Sequence, residues 1–191
     1  MQNSISDLRQ LVILAEAKKP HLVLETLPYS RTDLDPVMSK ATLDYHYGSL
    51  AKAYVDRFNS GEGDPNFNQA GAYLHNIFFP QLRALGSGSN RPFDISAEFV
   101  DSHFGGYDDM KTAVSDAAMK IQGSGWVYVS KSGKIKTIKN HDIRNDIVIL
   151  IDWWEHAWSL DYQADKQKYL KNIWRIIDWK VINNRLNLAN T

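Results

Sequence analysis

The apolar positions fall into helical stripes over the first two thirds of the chain and into short strand-like runs after that. Leu8, Leu11, Val12 and Ala15 share one face, with Ser6-Asp7 as a cap and Pro20 as a stop, so residues 1–19 read as a helix. A second helix is expected over 39–58, capped by Ser39, with Leu43, His46, Tyr47, Leu50, Tyr54 and Phe58 on its apolar face. After the loop Asn59–Pro65, a third over 66–85 carries Ala70, Tyr73, Leu74, Ile77, Phe78 and Leu82, with His75 among them. Two helices joined by so short a loop pack antiparallel, which would bring His46 and His75 together. Residues 96–103 and 108–122 read as two further helices.

The period then changes. Val127–Val129 and Ile135–Ile138 flank Lys131-Ser132-Gly133-Lys134, a hairpin signature. Ile147-Val148-Ile149-Leu150-Ile151 is mostly β-branched and reads as a buried strand. One or two helices rich in Ile and Trp follow from about residue 165. The Gly- and Ser-rich stretch Gly86–Pro92 is the best boundary. The expected fold class is α+β. It comprises an extra N-terminal helix or extension (1–21), a shortened helical hairpin domain (22–88), and a C-terminal α/β domain (89–191) with a three-stranded antiparallel sheet and surrounding helices.

Composition narrows the chemistry. The 191 residues carry 22 Lys and Arg against 22 Asp and Glu, a formal net charge of zero with no run of one sign. A phosphate-binding nucleic-acid surface needs clustered cations, so no nucleic-acid partner is expected. No apolar run approaches a membrane span, and no signal-peptide layout is evident, so a cytoplasmic protein without a membrane partner is expected. The absence of cysteine excludes disulfides, thiolate catalysis and iron–sulfur clusters. His, Asp, Glu and water remain as strong metal ligands.

Those ligand types meet after the apolar strand, in Asp152-Trp153-Trp154-Glu155-His156. A helix starting at Asp152 would set its carboxylate and His156 one turn apart on one face. The plainer alternative is a capping Asp beside a core histidine. With the inward His46 and His75, the pair makes a set of three imidazoles and one carboxylate, which suits a first-row transition metal. Zinc would accept the same set, so the residue types alone leave redox chemistry open. His21 reads as a surface residue and His103 as a helix-end residue.

The surrounding residues are more specific, and the chain resembles the iron/manganese superoxide dismutase family. The matching segments, in order, are Leu27-Pro28-Tyr29, Tyr45-His46-Tyr47-Gly48, Tyr54-Val55, Asn68, His75-Asn76-Ile77-Phe78-Phe79, Phe104-Gly105, Gly123-Ser124-Gly125-Trp126, Asn140-His141-Asp142, Asp152-Trp153-Trp154-Glu155-His156-Ala157, and Tyr169-Leu170 with Trp174. The resemblance implies one iron per subunit, with manganese as the alternative, held by His46, His75, Asp152, His156 and a solvent molecule. It implies disproportionation of superoxide to dioxygen and hydrogen peroxide. Tyr54 matches a tyrosine at the mouth of the substrate channel. Trp126 and Trp154 match aromatic pocket walls, and Phe79 stands where a further tryptophan is common. Glu155 matches a glutamate that reaches the partner's equivalent of His156 across a homodimer. Lys166 replaces an arginine near the entrance.

There are departures. Where many members set a glutamine against the bound solvent, this chain has Gly71 at one candidate position and His141 at the other. A histidine at the second position favours the iron reading. A histidine–tyrosine pair usual at the dimer gateway is replaced by Leu50 and Ser159. The short His46–His75 connection favours a dimer over a tetramer. The alternative function is a structural or assembly protein that keeps this fold with altered catalysis. A non-redox metal hydrolase is a third reading and lacks an obvious general base.

Overall fold

A computed structural model describes residues 20–188. The helix expected over 1–19 lies outside the described residues.

The first ligand-bearing segment is one continuous helical rod with a fault in it. Ser39 caps α1 (Lys40–Tyr45), accepting a hydrogen bond from the Thr42 amide. A π-helical turn follows at His46–Ala51, then α2 (Lys52–Ser60). The sequence predicts an uninterrupted α-helix here, and the π turn corrects it. The wider turn adds a residue to the spacing, so the buried stripe runs from His46 to Ala51 and on to Tyr54, Val55 and Phe58. Leu50, expected on that stripe, is only half-buried. Gly61 ends α2 in a left-handed conformation (φ 80°) that a side chain would resist.

The hairpin returns in α3 (Pro65–Phe78), where Pro65 sits in the first turn and Asp64 accepts from the Phe67 amide. The sequence predicts this helix to about Leu85. It stops at Phe78 and tightens into a 3₁₀ turn, Phe79–Gln81, because Pro80 has no N–H to continue the ladder. Beyond the irregular stretch around 86–92 come α4 (Ile95–Phe104) and α5 (Tyr107–Met119).

The sheet has the order β2-β1-β3, antiparallel throughout: β1 (Gly125–Ser130), β2 (Ile135–Lys139) and β3 (Ile147–Asp152). The central β1 and the apolar β3 are buried along their whole length, whereas edge strand β2 is largely exposed. The register pairs Trp126 with Asp152 on one side and with Ile138 on the other. A 3₁₀ turn at Glu155–Ala157, α6 (Ser159–Tyr162), α7 (Lys166–Ile173), a further 3₁₀ turn at Trp174–Ile176 and α8 (Trp179–Asn187) complete the chain.

The two halves share one core that includes Leu43, Leu74, Phe78, Trp126, Leu150 and Ile182. They are also cross-linked by polar contacts. Arg185 on α8 donates to the carbonyls of Ile77 (2.7 Å) and Val148 (2.9 Å) and to Gln81 Oε1 (3.0 Å). Gln81 itself accepts from the Leu150 amide (3.1 Å) and donates to the Leu150 carbonyl. The end of α3 is thereby tied to the middle of β3.

Candidate metal centre

Strand β3 ends on Asp152, and the chain turns there. The sequence predicts a helix beginning at Asp152. The observed path differs: Asp152 is the last strand residue, and His156 sits in the following 3₁₀ turn. The turn still closes on the carboxylate, with His156 Nε2 3.4 Å from Asp152 Oδ2. His46 Nε2 lies 3.0 Å from the same oxygen and His75 Nε2 3.9 Å from it. One ligand atom from each of the four residues falls within 4.8 Å of the others.

None of these four atoms has a hydrogen-bond partner. Asp152 Oδ2 and the Nε2 atoms of His46, His75 and His156 are all buried and unsatisfied. Leaving such groups unpaired out of water costs about 1–3 kcal/mol each, so four that face one point fit a cation held between them. Their protonation states fit too. Burial pushes His46 down to about 4, only partly opposed by Asp152, and pushes His75 well below the ordinary histidine range. Burial alone would raise the Asp152 carboxyl, but His156 and His46 outweigh it and hold it far below the usual carboxylate range. Neutral imidazoles beside an ionised carboxylate are the states that ligate metals.

Outer contacts fix the four candidate ligands unequally. Asp152 Oδ1 accepts from the Trp154 amide (2.8 Å), and its carbonyl accepts from Tyr169 Oη (2.9 Å). His75 Nδ1 lies 2.6 Å from the Gly71 carbonyl, which places the proton on Nδ1 and leaves Nε2 with a lone pair for the metal. His46 is held by ring contacts instead, at 4.8 Å from Phe79 and 5.6 Å from Phe78, and its Nδ1 is unpartnered.

A polar relay runs beside the ligands. Trp126 Nε1 donates to His141 Nδ1 at 3.1 Å. An indole only donates, so Nδ1 must be the accepting nitrogen and the proton sits on Nε2. His141 Nε2 therefore donates to Tyr54 Oη at 3.0 Å, and the phenol proton is free to point elsewhere. Burial lowers His141 to about 4 and raises Tyr54 to about 12, so both are neutral near pH 7. A cleft of about 430 Å³, lined by Asp64, Phe67, Gln69, His141 and Asp142, opens on the outer side of His141.

The structure brings together His46, His75, Asp152, His156, Tyr54, His141, Trp126 and Trp154. Trp126 stands edge-on to His75 at 5.1 Å, and Trp154 stacks on His141 at 4.6 Å. Two named residues stand apart from this group. Glu155 is exposed, and Lys166 lies over the rings of Trp158 (5.2 Å) and Trp153 (5.7 Å). Phe67 is a residue that sequence reasoning missed. It packs on Tyr54 (5.8 Å), His141 (4.7 Å) and Trp154 (6.4 Å), closing the relay from outside. Its position in the first turn of α3, just after a loop, gave no periodic signal. Gly71 also matters for what it lacks: a Cβ there would lie 2.8 Å from the Tyr54 ring.

Comparison with known proteins finds relatives of both halves of the chain. Residues 21–64 match the α-hairpin domain, and residues 94–185 the C-terminal domain, of the iron/manganese superoxide dismutases. The helix carrying His75 lies between the two matched segments. An iron superoxide dismutase of Bacteroides fragilis is 34% identical over 187 residues, covering 84% of this chain and 96% of the relative. A manganese/iron superoxide dismutase of Propionibacterium freudenreichii is 31% identical over 194 residues, covering 87% and 96%. A mitochondrial manganese superoxide dismutase of Schizosaccharomyces pombe is 29% identical over 209 residues, covering 96% and 95%. With both domains matched and such relatives covered almost end to end, the chain belongs to the iron/manganese superoxide dismutase family.

Proposed function

We propose that this protein is a superoxide dismutase with His46, His75, Asp152 and His156 as ligands of one iron, manganese being the alternative. The observation that carries the reading is the convergence of four buried, unpartnered ligand atoms within 4.8 Å. A bound iron or manganese supplies a one-electron couple that oxidises one superoxide to dioxygen and reduces a second, which leaves with two protons as hydrogen peroxide. The chain's residues do the rest. Trp126 fixes the His141 tautomer, His141 holds Tyr54 Oη by donation, and the Tyr54 proton is left available on the pocket side. Phe78, Phe79, Trp126 and Trp154 exclude bulk water around the ligands and keep the electrostatics strong.

Iron is the favoured metal because a histidine occupies the position from which many members present a glutamine. Metal analysis of protein purified from its native source, with a superoxide assay on the same sample, tests metal and activity together. About one iron per chain, with activity lost on metal removal and restored by iron, is expected. A metal-free, inactive protein assembled with a large partner would instead support the structural reading.

A homodimer through Glu155 and His156 is part of the proposal. Glu155 is exposed beside a ligand whose side chain is 10% exposed, and Leu160 close by is 57% exposed. Sedimentation of the loaded protein is expected to give the dimer mass, with Glu155→Ala shifting it toward monomer. A wild-type monomer would contradict this assembly.

A further inference from the structure

Away from the metal centre, four cations converge on one cleft. Arg91 comes from the irregular stretch before α4, Lys111 from α5, Lys171 from α7, and Arg175 from the 3₁₀ turn after it. They line a cleft of about 110 Å³ whose apolar walls are Tyr107 and Trp174, and no carboxylate lines it. In a chain with 22 cations and 22 anions this is a local imbalance created by the fold and not by a basic run. Lys111 alone of the four has an ion-pair partner among the described residues, Asp108 Oδ1 at 2.7 Å. Arg91, Lys171 and Arg175 are exposed and have none. Four like charges sharing a single carboxylate, Asp108, destabilise the empty fold, and an anion relieves that cost.

Two of the cations are also held in place. Lys111 Nζ sits 4.5 Å from the centre of the Tyr107 ring, and the Arg91 guanidinium carbon 5.9 Å from it. Such stacking orients both heads before a ligand arrives. The cleft continues into a larger one of about 370 Å³, which shares Lys111, Lys171 and Trp174. That part changes character. It sets Asp108 and Asp116 against the shared lysines and adds Ser115, Gln167 and Met119, so its charges balance and it suits a neutral hydrogen-bonding body.

From this juxtaposition we propose a second binding site, at which Arg91, Lys111, Lys171 and Arg175 hold the phosphates of a small diphosphate anion and the adjoining cleft holds its uncharged organic part. A nucleoside diphosphate has that layout. Arginine forks match phosphate oxygens in pairs, and lysine adds point charge.

Calorimetric titration of the metal-loaded protein at low salt tests the site, with pyrophosphate, ADP and adenosine as probes. Pyrophosphate and ADP are expected to bind and adenosine not to. Raising the salt weakens both, because the contacts are exposed. The double variant Arg91→Gln/Arg175→Gln is expected to weaken both phosphates about tenfold or more while keeping its metal content and melting temperature. Lys171→Gln is an independent check with a smaller loss. Unchanged affinity in the double variant would place the anion elsewhere and overturn the site, and so would the failure of both phosphates to bind.

Discussion

The proposed metal centre is built from two unlike walls. In the sheet wall, Asp152 and His156, the carboxylate residue is tied by directed bonds, a backbone amide to Oδ1 and a tyrosine to the carbonyl, and by a strand register that seats Trp126 beside it. The helical wall, His46 and His75, has one directed bond, from His75 to the Gly71 carbonyl, and is otherwise positioned by packed rings and a π turn. A directed bond fixes an atom, whereas ring packing fixes a volume. The sheet wall therefore sets where the charge lies, and the helical wall sets how closely the imidazoles approach it.

The comparison can be broken from either side. Asp152→Ala removes the only carboxylate among the four proposed ligands, and it is expected to have the largest effect. Metal content should fall to near zero, with an activity loss beyond the ~10–100-fold typical of losing an outer partner. A variant that keeps its metal would show that the three histidines suffice.

Gly71→Ala strikes the helical wall. The new methyl would meet the Tyr54 ring at 2.8–3.0 Å, so the ring must move off its bond to His141. Overpacking of this kind costs about 1–3 kcal/mol, against about 1 kcal/mol gained from the better helix former. A net loss of stability in denaturant titration is expected, with the metal retained. A stabilised variant would mean that Tyr54 is free to shift.

The most gradual effect is a pH dependence. His141 has an ordinary value of 6.5 and is held at about 4 in the fold. As pH falls below 6.5 the unfolded chain takes up a proton that the folded chain refuses. The stabilisation from His141 is thus complete above pH 6.5 and lost progressively toward pH 4, up to about 3 kcal/mol. His141→Gln does not titrate there, so its stability should vary less with pH over that window. Parallel profiles would remove His141 from the balance.

Much of this was legible in the sequence because it rests on local rules. Ile147–Ile151 reads as a buried strand from β-branching alone, and Ser39 reads as a cap. The motif residues point, by their order along the chain, to the four side chains that the fold brings together. What was not legible depends on geometry that single residues do not encode. The π turn at His46–Ala51 leaves the α-helical stripe intact on both sides and shows only as burial shifted from Leu50 to Ala51. The tight turn at Glu155–Ala157 contains the same residues as a helix start would. Phe67 acquires its role only when α3 meets the Asn140–Asp142 corner.

The Arg185 contacts have a consequence for how the molecule comes apart. Burial lowers this guanidinium to about 10, so it stays charged near neutral pH, and its partners belong to α3, its 3₁₀ extension and β3. Parting the helical hairpin from the sheet would break those contacts on both sides at once, which couples the two halves. Melting is then expected to be a single cooperative transition, with whatever free energy a bound metal contributes shared by the whole described chain and not by one domain.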